Sequence, residues 1–170
     1  MTHKYFFLPQ AKAVAAAFTI FVICYFLDKN AHGAPYFRRI EDYLQFITPL
    51  YACFIAFFCN DFKPSLKPLA TSLAAVMAIV YTIKYFVNAK RPNGVGGFSF
   101  PSGHTSFAFT AAAFIHKRYS FYYAIPAYAN SIAIAFLRVF HGKHHAIDVI
   151  CGAVIGIVIA WKFTTKKEVQ

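Results

Sequence analysis

The sequence predicts an all-α protein, a polytopic bundle of six transmembrane helices that forms a single domain over residues 1–170. Hydrophobic residues make up 59% of the chain and charged residues 14%, which is too apolar for a soluble domain of this size. The apolar residues come in blocks that do not alternate, which favours helices over the strands of a membrane barrel. The six blocks are Ala13–Leu27, Tyr43–Cys59, Leu69–Ile83, Thr105–Ile115, Phe121–Leu137 and Ala146–Trp161.

The first block has an alternative interpretation as a signal peptide. Lys4 and Lys12 lie before or at its start, and the small residues Ala31–Ala34 follow it. Asp28 comes directly after the apolar run, and a sixth helix closes a bundle better than five would. We therefore expect a retained helix.

Blocks shorter than the ~20 residues that span a bilayer unaided are expected to extend through aromatic and lysine side chains at the interface.

The distribution of Lys and Arg predicts which side of the membrane each loop occupies. Six spans put both termini on one side with loops 60–68 and 116–120, and put loops 28–42, 84–104 and 138–145 on the other. Once the cations inside the chemical motifs below are set aside, the terminal side carries the excess of positive charge. The positive-inside rule then places the termini in the cytoplasm and the motif loops outside.

The net charge of +11 is spread over loop ends and does not form a stripe or a basic helix. This pattern indicates contact with anionic lipid and argues against nucleic-acid binding.

The four cysteines, Cys24, Cys53, Cys59 and Cys151, lie inside apolar blocks without CxxC spacing. We interpret them as small hydrophobic residues, neither a disulfide framework nor a zinc site.

The first of three chemical motifs is Lys84 with Arg91 and Pro92. Lys84 closes the third block, and Arg91 follows seven residues later. If the helix continues that far, two turns place both cations on one face, where they could reach one anion. The alternative is a pair of interfacial cations whose side chains snorkel to the membrane surface.

The second motif is the run Pro101–His104, directly before the fourth block. Ser102 is a natural N-cap, and Gly103 lets a ligand approach the backbone. The free N–H groups of a helix N-terminus can hold a phosphate, and His104 is placed to give a proton to a leaving oxygen. The alternative is an ordinary capped helix with an interfacial histidine.

The third motif joins Arg138, at the end of the fifth block, to His144 and Asp148. The histidine and the aspartate stand four residues apart, so one helical face would carry both. The aspartate can accept the imidazole N–H and leave the other ring nitrogen free as a nucleophile.

A metal site is the competing interpretation of this third motif, because His141 and His145 flank the same segment. Such a site would need further acidic ligands, and the outer loops otherwise carry only Asp28, Glu41 and Asp42. We expect His141 and His145 to line the mouth of the site or to face solvent.

Taken in order, Lys-x6-Arg-Pro, Pro-Ser-Gly-His and Arg-x5-His-x3-Asp resemble the signature of the type 2 phosphatidic acid phosphatase (PAP2) family, whose fold is shared with vanadium-dependent haloperoxidases. The match spans Lys84–Asp148. The resemblance implies that His144 is the nucleophile, that Asp148 orients it and that His104 protonates the leaving group. It also implies that no metal or other cofactor is needed and that the substrate phosphate is bound by Lys84, Arg91, Ser102, Gly103 and Arg138.

One position departs from the family pattern: the third motif usually has Ser before its Arg, and this chain has Leu137. We expect the loss of a peripheral hydrogen bond without loss of the chemistry. The stretch Phe100–Tyr119 is similar to small bacterial lipid A 1-phosphatases.

These resemblances imply a phosphatase for a lipid phosphate or pyrophosphate at the outer face of a bacterial inner membrane. Lipid A is the first expected substrate, followed by undecaprenyl pyrophosphate and then phosphatidylglycerol phosphate or phosphatidate. The alternatives are a lipid phosphotransferase and a non-catalytic lipid-binding protein. The presence of both histidines and the aspartate favours an enzyme.

Overall fold

The structure, a computed structural model, describes residues 40–167. Five helices cover this part of the chain: α1 (Ile40–Phe58), α2 (Phe62–Val87), α3 (Gly103–Arg118), α4 (Phe121–Phe140) and α5 (Ala146–Phe163). Over these residues there is no β-strand, and the all-α prediction is confirmed. The predicted helix Ala13–Leu27 lies outside the described residues, as do its signal-peptide alternative and the sixth member of the bundle.

The helices extend beyond the apolar blocks at their polar ends, and α2 does so most. It begins at Phe62, seven residues before its block, and ends at Val87. Asn88 closes it in the left-handed conformation, with φ of 43°, and donates its N–H to the carbonyl of Lys84. The helix therefore does not continue to Arg91, which lies in the loop that follows.

Helix α3 is the centre of the bundle and packs against each of the other four described helices. Its side chains are small where the neighbours come close: Ala108, Ala111, Ala112 and Ala113 are completely buried. Because protein and not lipid surrounds it, this helix can be short and only weakly apolar. It carries the second motif at its N-terminus.

Helix α5 approaches α3 closely through two glycines spaced four residues apart. A Cβ on Gly152 would lie 2.7 Å from the carbonyl oxygen of Ser102, and one on Gly156 would lie 2.4 Å from that of Ser106. Small residues at this spacing let membrane helices pack backbone against backbone. This contact brings the second and third motifs together, since the N–H of Ser102 donates to the carbonyl of Asp148 at 2.9 Å.

Three of the five helices, α2, α4 and α5, are long and apolar enough to cross a membrane. The outward surface of the bundle is rich in large apolar side chains, including Leu50, Phe57, Tyr85, Phe136 and Val158. A surface of this kind would aggregate in water and is typical of contact with lipid.

The described cysteines Cys53, Cys59 and Cys151 are half-buried and unpaired, and Cys24 lies outside the described residues.

A buried ion pair holds the end of the bundle opposite the three motifs. Arg118 donates from Nη2 to Oδ1 of Asp61 at 2.9 Å and from Nε to Oδ2 at 2.5 Å. Ser65 and Tyr119 donate to the same carboxylate at 2.7 Å and 3.0 Å. Burial raises the pKa of Asp61, but the hydrogen bonds from Arg118, Ser65 and Tyr119 outweigh it and hold the pKa below its usual value.

Candidate active site

A cavity of about 700 Å³ lies at the end of the bundle where the three motifs meet. Its polar wall holds six of the eight predicted site residues: Lys84, Arg91, Gly103, His104, Arg138 and His144. The other two, Ser102 and Asp148, are buried behind this wall, at 0% and 2% exposure. The rest of the lining is largely apolar and comes from Phe46, Met77, Tyr81, Tyr85, Phe98 and Phe107, with Gln45.

Lys84 stands in the last turn of α2 and points into the protein. It is buried, at 9% exposure, and its Nζ donates to the carbonyls of Phe98 and Ser99 at 2.5 Å and 3.3 Å. It therefore does not snorkel to the membrane surface. These bonds tie the loop before α3 to the end of α2 and place the lysine charge at the wall of the cavity.

Arg91 and Arg138 both line the cavity, and each has a buried guanidinium nitrogen. Within residues 40–167, the Nε atoms of both arginines are without a hydrogen-bond partner. A buried donor without an acceptor is costly, and a phosphate oxygen is an acceptor that suits arginine well. The two side chains reach the cavity from different elements, the loop after α2 and the last turn of α4.

The second motif opens α3 toward the cavity. Ser102 occupies the predicted N-cap position, but its hydroxyl hydrogen-bonds the hydroxyl of Thr105 at 3.0 Å and does not cap a backbone N–H. Gly103 is the first residue of the helix and lies against the side chains of Val80 and Lys84. The helix start thus contributes backbone N–H groups and the positive end of its dipole to a wall that already carries cations.

The third motif brings His144 and Asp148 together in the interior. Both side chains are almost fully buried, and Nδ1 of His144 lies 3.5 Å from Oδ2 of Asp148. Burial lowers the pKa of His144, the charges of Arg138 and Lys84 lower it further, and Asp148 opposes them. The net shift is downward, so the imidazole is neutral near neutral pH, as a nucleophile must be.

Ser99 is a member of this group that sequence reasoning missed. Its side chain is completely buried, and its hydroxyl donates to Oδ2 of Asp148 at 2.5 Å. The same hydroxyl lies 3.5 Å from Nδ1 of His144, and the backbone N–H of His145 donates to the same carboxylate oxygen at 2.9 Å. No spacing rule links a serine before Phe100 to a histidine 45 positions later in the chain, so only the fold could find it.

The first turn of α1 supplies two carboxylates that were also missed. Glu41 is completely buried, and its Oε1 accepts from Lys143 at 2.6 Å and from Arg138 at 3.4 Å. Asp42 places Oδ1 2.7 Å from Nε2 of His104 and 3.1 Å from Nη1 of Arg138. Two adjacent carboxylates at the edge of an apolar block are costly unless they have partners, and this signal could have found them.

His141 and His145, the two other histidines beside the third motif, have different surroundings in the structure. His141 is half-buried and lies 3.2 Å from the carboxylate of Glu41, whereas His145 is exposed. Among the residues that the structure describes, no group of three His, Cys, Asp or Glu side chains is arranged to hold a metal ion. The geometry thus offers no support for the metal interpretation of this segment.

Fold and site together define a membrane-embedded helical protein with a cationic, histidine-containing cavity at one end. The profile of the PAP2 superfamily matches residues 65–168, which is more than half of the chain. The chain belongs to the PAP2 superfamily.

Individual relatives lie among lipid A phosphatases. A lipid A 1-phosphatase of Porphyromonas gingivalis is 34% identical over 93 residues, which are 53% of this chain and 21% of that protein. A lipid A 4′-phosphatase of Helicobacter pylori is 29% identical over 145 residues, 79% of this chain and 72% of that protein. The crystal structure of Aquifex aeolicus LpxE superposes with a TM-score of 0.62 at 26% identity, covering 81% of this chain and 90% of that one.

Proposed function

We propose that this protein is a metal-independent phosphatase that removes phosphate from a membrane lipid through a phosphohistidine on His144, at the outer face of a bacterial inner membrane. The observation that carries the proposal is the convergence of Lys84, Arg91 and Arg138 with a buried histidine on one cavity. Membership of the PAP2 superfamily and the similarity to lipid A phosphatases support it.

Binding uses the two halves of the cavity for the two parts of a lipid phosphate. The cations and the N-terminus of α3 hold the phosphoryl oxygens, and Ser102 supports that helix start from behind. The apolar half, which includes Phe46, Tyr81 and Phe107, accepts the apolar body of the lipid.

The first chemical step is phosphoryl transfer to the enzyme. Nδ1 of His144 faces Asp148 and Ser99, which leaves Nε2 to attack phosphorus. A P–N bond forms while the P–O bond to the lipid breaks, and His104 gives its proton to the departing oxygen. Lys84, Arg91 and Arg138 stabilise the charge on the equatorial oxygens of the transition state.

The second step returns the enzyme to its starting state. Water attacks phosphorus, the P–N bond to His144 breaks, and the proton lost by the water returns to His104. Inorganic phosphate leaves, and the step as written uses no redox change and no metal ion.

Lipid A is the first substrate we propose, because the relatives named above act on it at either its 1- or its 4′-phosphate. Undecaprenyl pyrophosphate comes second, followed by phosphatidylglycerol phosphate and phosphatidate. All four carry a phosphate on an apolar body, and this matches a cavity that has one cationic half and one apolar half.

The test is a panel of these purified lipids incubated with the full chain in detergent, with inorganic phosphate as the readout. His144→Ala is the matched control, and we expect it to remain folded and to release no more than a few per cent of the wild-type phosphate. Greater release by this variant would remove the nucleophile assignment. Phosphate found on a second lipid, with none released, would show a phosphotransferase. Binding of the lipids with no turnover at all would show a non-catalytic lipid-binding protein.

A further inference from the structure

Asp42 places a negative charge inside a site that is otherwise built for a phosphate. Its carboxylate, at 37% side-chain exposure, lies 2.7 Å from Nε2 of His104 and 3.1 Å from Nη1 of Arg138 through the same oxygen, Oδ1. Both partners face the cavity. A carboxylate so close to the phosphate site repels the substrate, so its presence requires a compensating role.

The contact between Asp42 and His104 parallels the one between Asp148 and His144. In each pair a carboxylate takes one ring nitrogen of a histidine that faces the cavity. With Nε2 held by Asp42, the ring leaves Nδ1 for other chemistry, and no described residue hydrogen-bonds to that atom. A carboxylate on one nitrogen fixes the ring orientation and favours the protonated imidazole.

We propose that Asp42 is a positioning residue for the general acid: it holds Nε2 of His104 so that Nδ1–H is directed at the leaving oxygen, and its charge favours the protonated ring. The proposal rests on the proposed function, in which His104 is that acid. When the P–O bond breaks, the proton passes from His104 to the lipid oxygen, and the Nε2–H bond to Asp42 stays in place. The attacking water of the second step restores the proton.

The surrounding charges explain why His104 needs this partner. Burial and the charge of Arg138 hold the pKa of His104 below its usual value, and Asp42 opposes them. Lys84, Arg91 and His144 line the same cavity. Glu41, the other carboxylate of α1, is engaged by Arg138 and Lys143. Asp42 is therefore the acidic group in direct contact with the ring, and removal of its charge leaves His104 beside a guanidinium.

The experiment compares two phosphate monoesters that differ in how much their leaving group needs a proton. An alkyl phosphate such as dodecyl phosphate releases an alkoxide and depends on the acid, whereas p-nitrophenyl phosphate releases a phenolate that leaves unprotonated. The readout is kcat/KM, because it reports the transfer to His144 and not the later hydrolysis, in which His104 takes a proton with either ester. For Asp42→Asn in the full chain we expect kcat/KM on the alkyl ester to fall roughly 10- to 100-fold, toward the loss typical of a missing general acid. The kcat/KM on the aryl ester should change less than about threefold on the same argument.

Three further variants make the result decisive. His104→Ala should show the same dependence on leaving group, to a larger extent, and Asp42→Glu should recover part of the alkyl activity because it restores the charge. Tyr43→Phe removes a polar group from the same turn of α1, at an exposed position, and should match the wild type on both esters.

The outcomes separate this proposal from the function on which it rests. If His104→Ala lowers kcat/KM equally on both esters, the acid assignment itself is wrong. If His104→Ala discriminates between the esters and Asp42→Asn does not, only the positioning role fails. If Asp42→Asn raises kcat/KM on both esters and tightens inhibition by inorganic phosphate, the carboxylate competes with the substrate and the proposal is overturned.

Discussion

The hydroxyl of Ser99 donates a 2.5 Å hydrogen bond to the carboxylate of Asp148, on the oxygen that faces His144. The carbonyl of the same serine accepts from Lys84, so one buried residue between the first and second motifs connects the first to the third. His144 thus belongs to a group of three side chains, and the carboxylate is shared between a hydroxyl and an imidazole.

Ser99→Ala should lower kcat about tenfold, because Asp148 loses a charge-assisted hydrogen bond worth about 1.5 kcal/mol that helps to hold it in place. The acid limb of kcat/KM should also move to higher pH, since an Asp148 relieved of the hydroxyl attracts the proton on His144 more strongly. The measurement is kcat/KM in detergent over a pH range that extends from 8 to below 3, because the pKa of His144 is lowered to about 3. Ser131→Ala, which removes a buried hydroxyl that bonds within α4, is the control and should leave both values unchanged. An unmoved acid limb in Ser99→Ala would reduce the serine to a structural role.

The wild-type enzyme should stay active well below the ordinary histidine pKa of about 6.5. Burial, Arg138 and Lys84 lower the pKa of His144, and the neutral ring is the proposed nucleophile, so activity should be lost only as pH falls through the lowered value. ¹⁵N NMR of the labelled protein in detergent follows this ring directly, with His144→Gln used to assign its signals. A His144 titration near the ordinary value would contradict the burial argument.

Phosphate release should survive EDTA and be blocked by vanadate. The positive charges of the site belong to side chains, and a trigonal-bipyramidal vanadate mimics the transition state of phosphoryl transfer. The assay is phosphate release in detergent after prolonged chelation, with chelated enzyme supplied with zinc or magnesium as the control. Activity lost to EDTA and restored by either metal would revive the metal interpretation of the third motif.

Arg118→Met should destabilise the protein by roughly 3–5 kcal/mol, because it leaves the buried carboxylate of Asp61 without its charge partner. The double variant Asp61→Asn with Arg118→Met should recover much of this loss, since both charges are then gone. Thermal unfolding in detergent ranks the stability of the wild type, the single variant and the double variant. A single variant as stable as the wild type would mean that the pair contributes nothing at this end of the bundle.

Sidedness can be tested with single cysteines in a variant that lacks the four native ones. A cysteine in the loop 93–97 should react with a membrane-impermeant thiol reagent added to intact spheroplasts, and one beside Lys117 should not, because the cations of the terminal side are expected to be cytoplasmic. Permeabilised spheroplasts, in which both react, provide the control. The reverse labelling would put the site in the cytoplasm and remove outer-leaflet lipids from the substrate list.

Short-range patterns were enough to predict the helical class and the approximate position of five helices. They were less reliable at helix ends, because α2 continues beyond its apolar block at the N-terminus and stops at Asn88, short of Arg91. The two cations of the first motif therefore meet through a loop and not along one helical face. Their roles in binding, like those of the other site residues, remain predictions.

The sequence by itself determined which side chains could carry the chemistry, because motif spacing and the parity of the helices depend only on chain order. Tertiary structure decided the partners: Ser99 with Asp148, Asp42 with His104, and Glu41 with Arg138 and Lys143. These contacts join segments up to about a hundred residues apart, and a hydrogen bond depends on positions to within a few tenths of an ångström. Only the packing of α1, α3, α4 and α5 around the cavity sets those positions, and no local pattern in the chain encodes them.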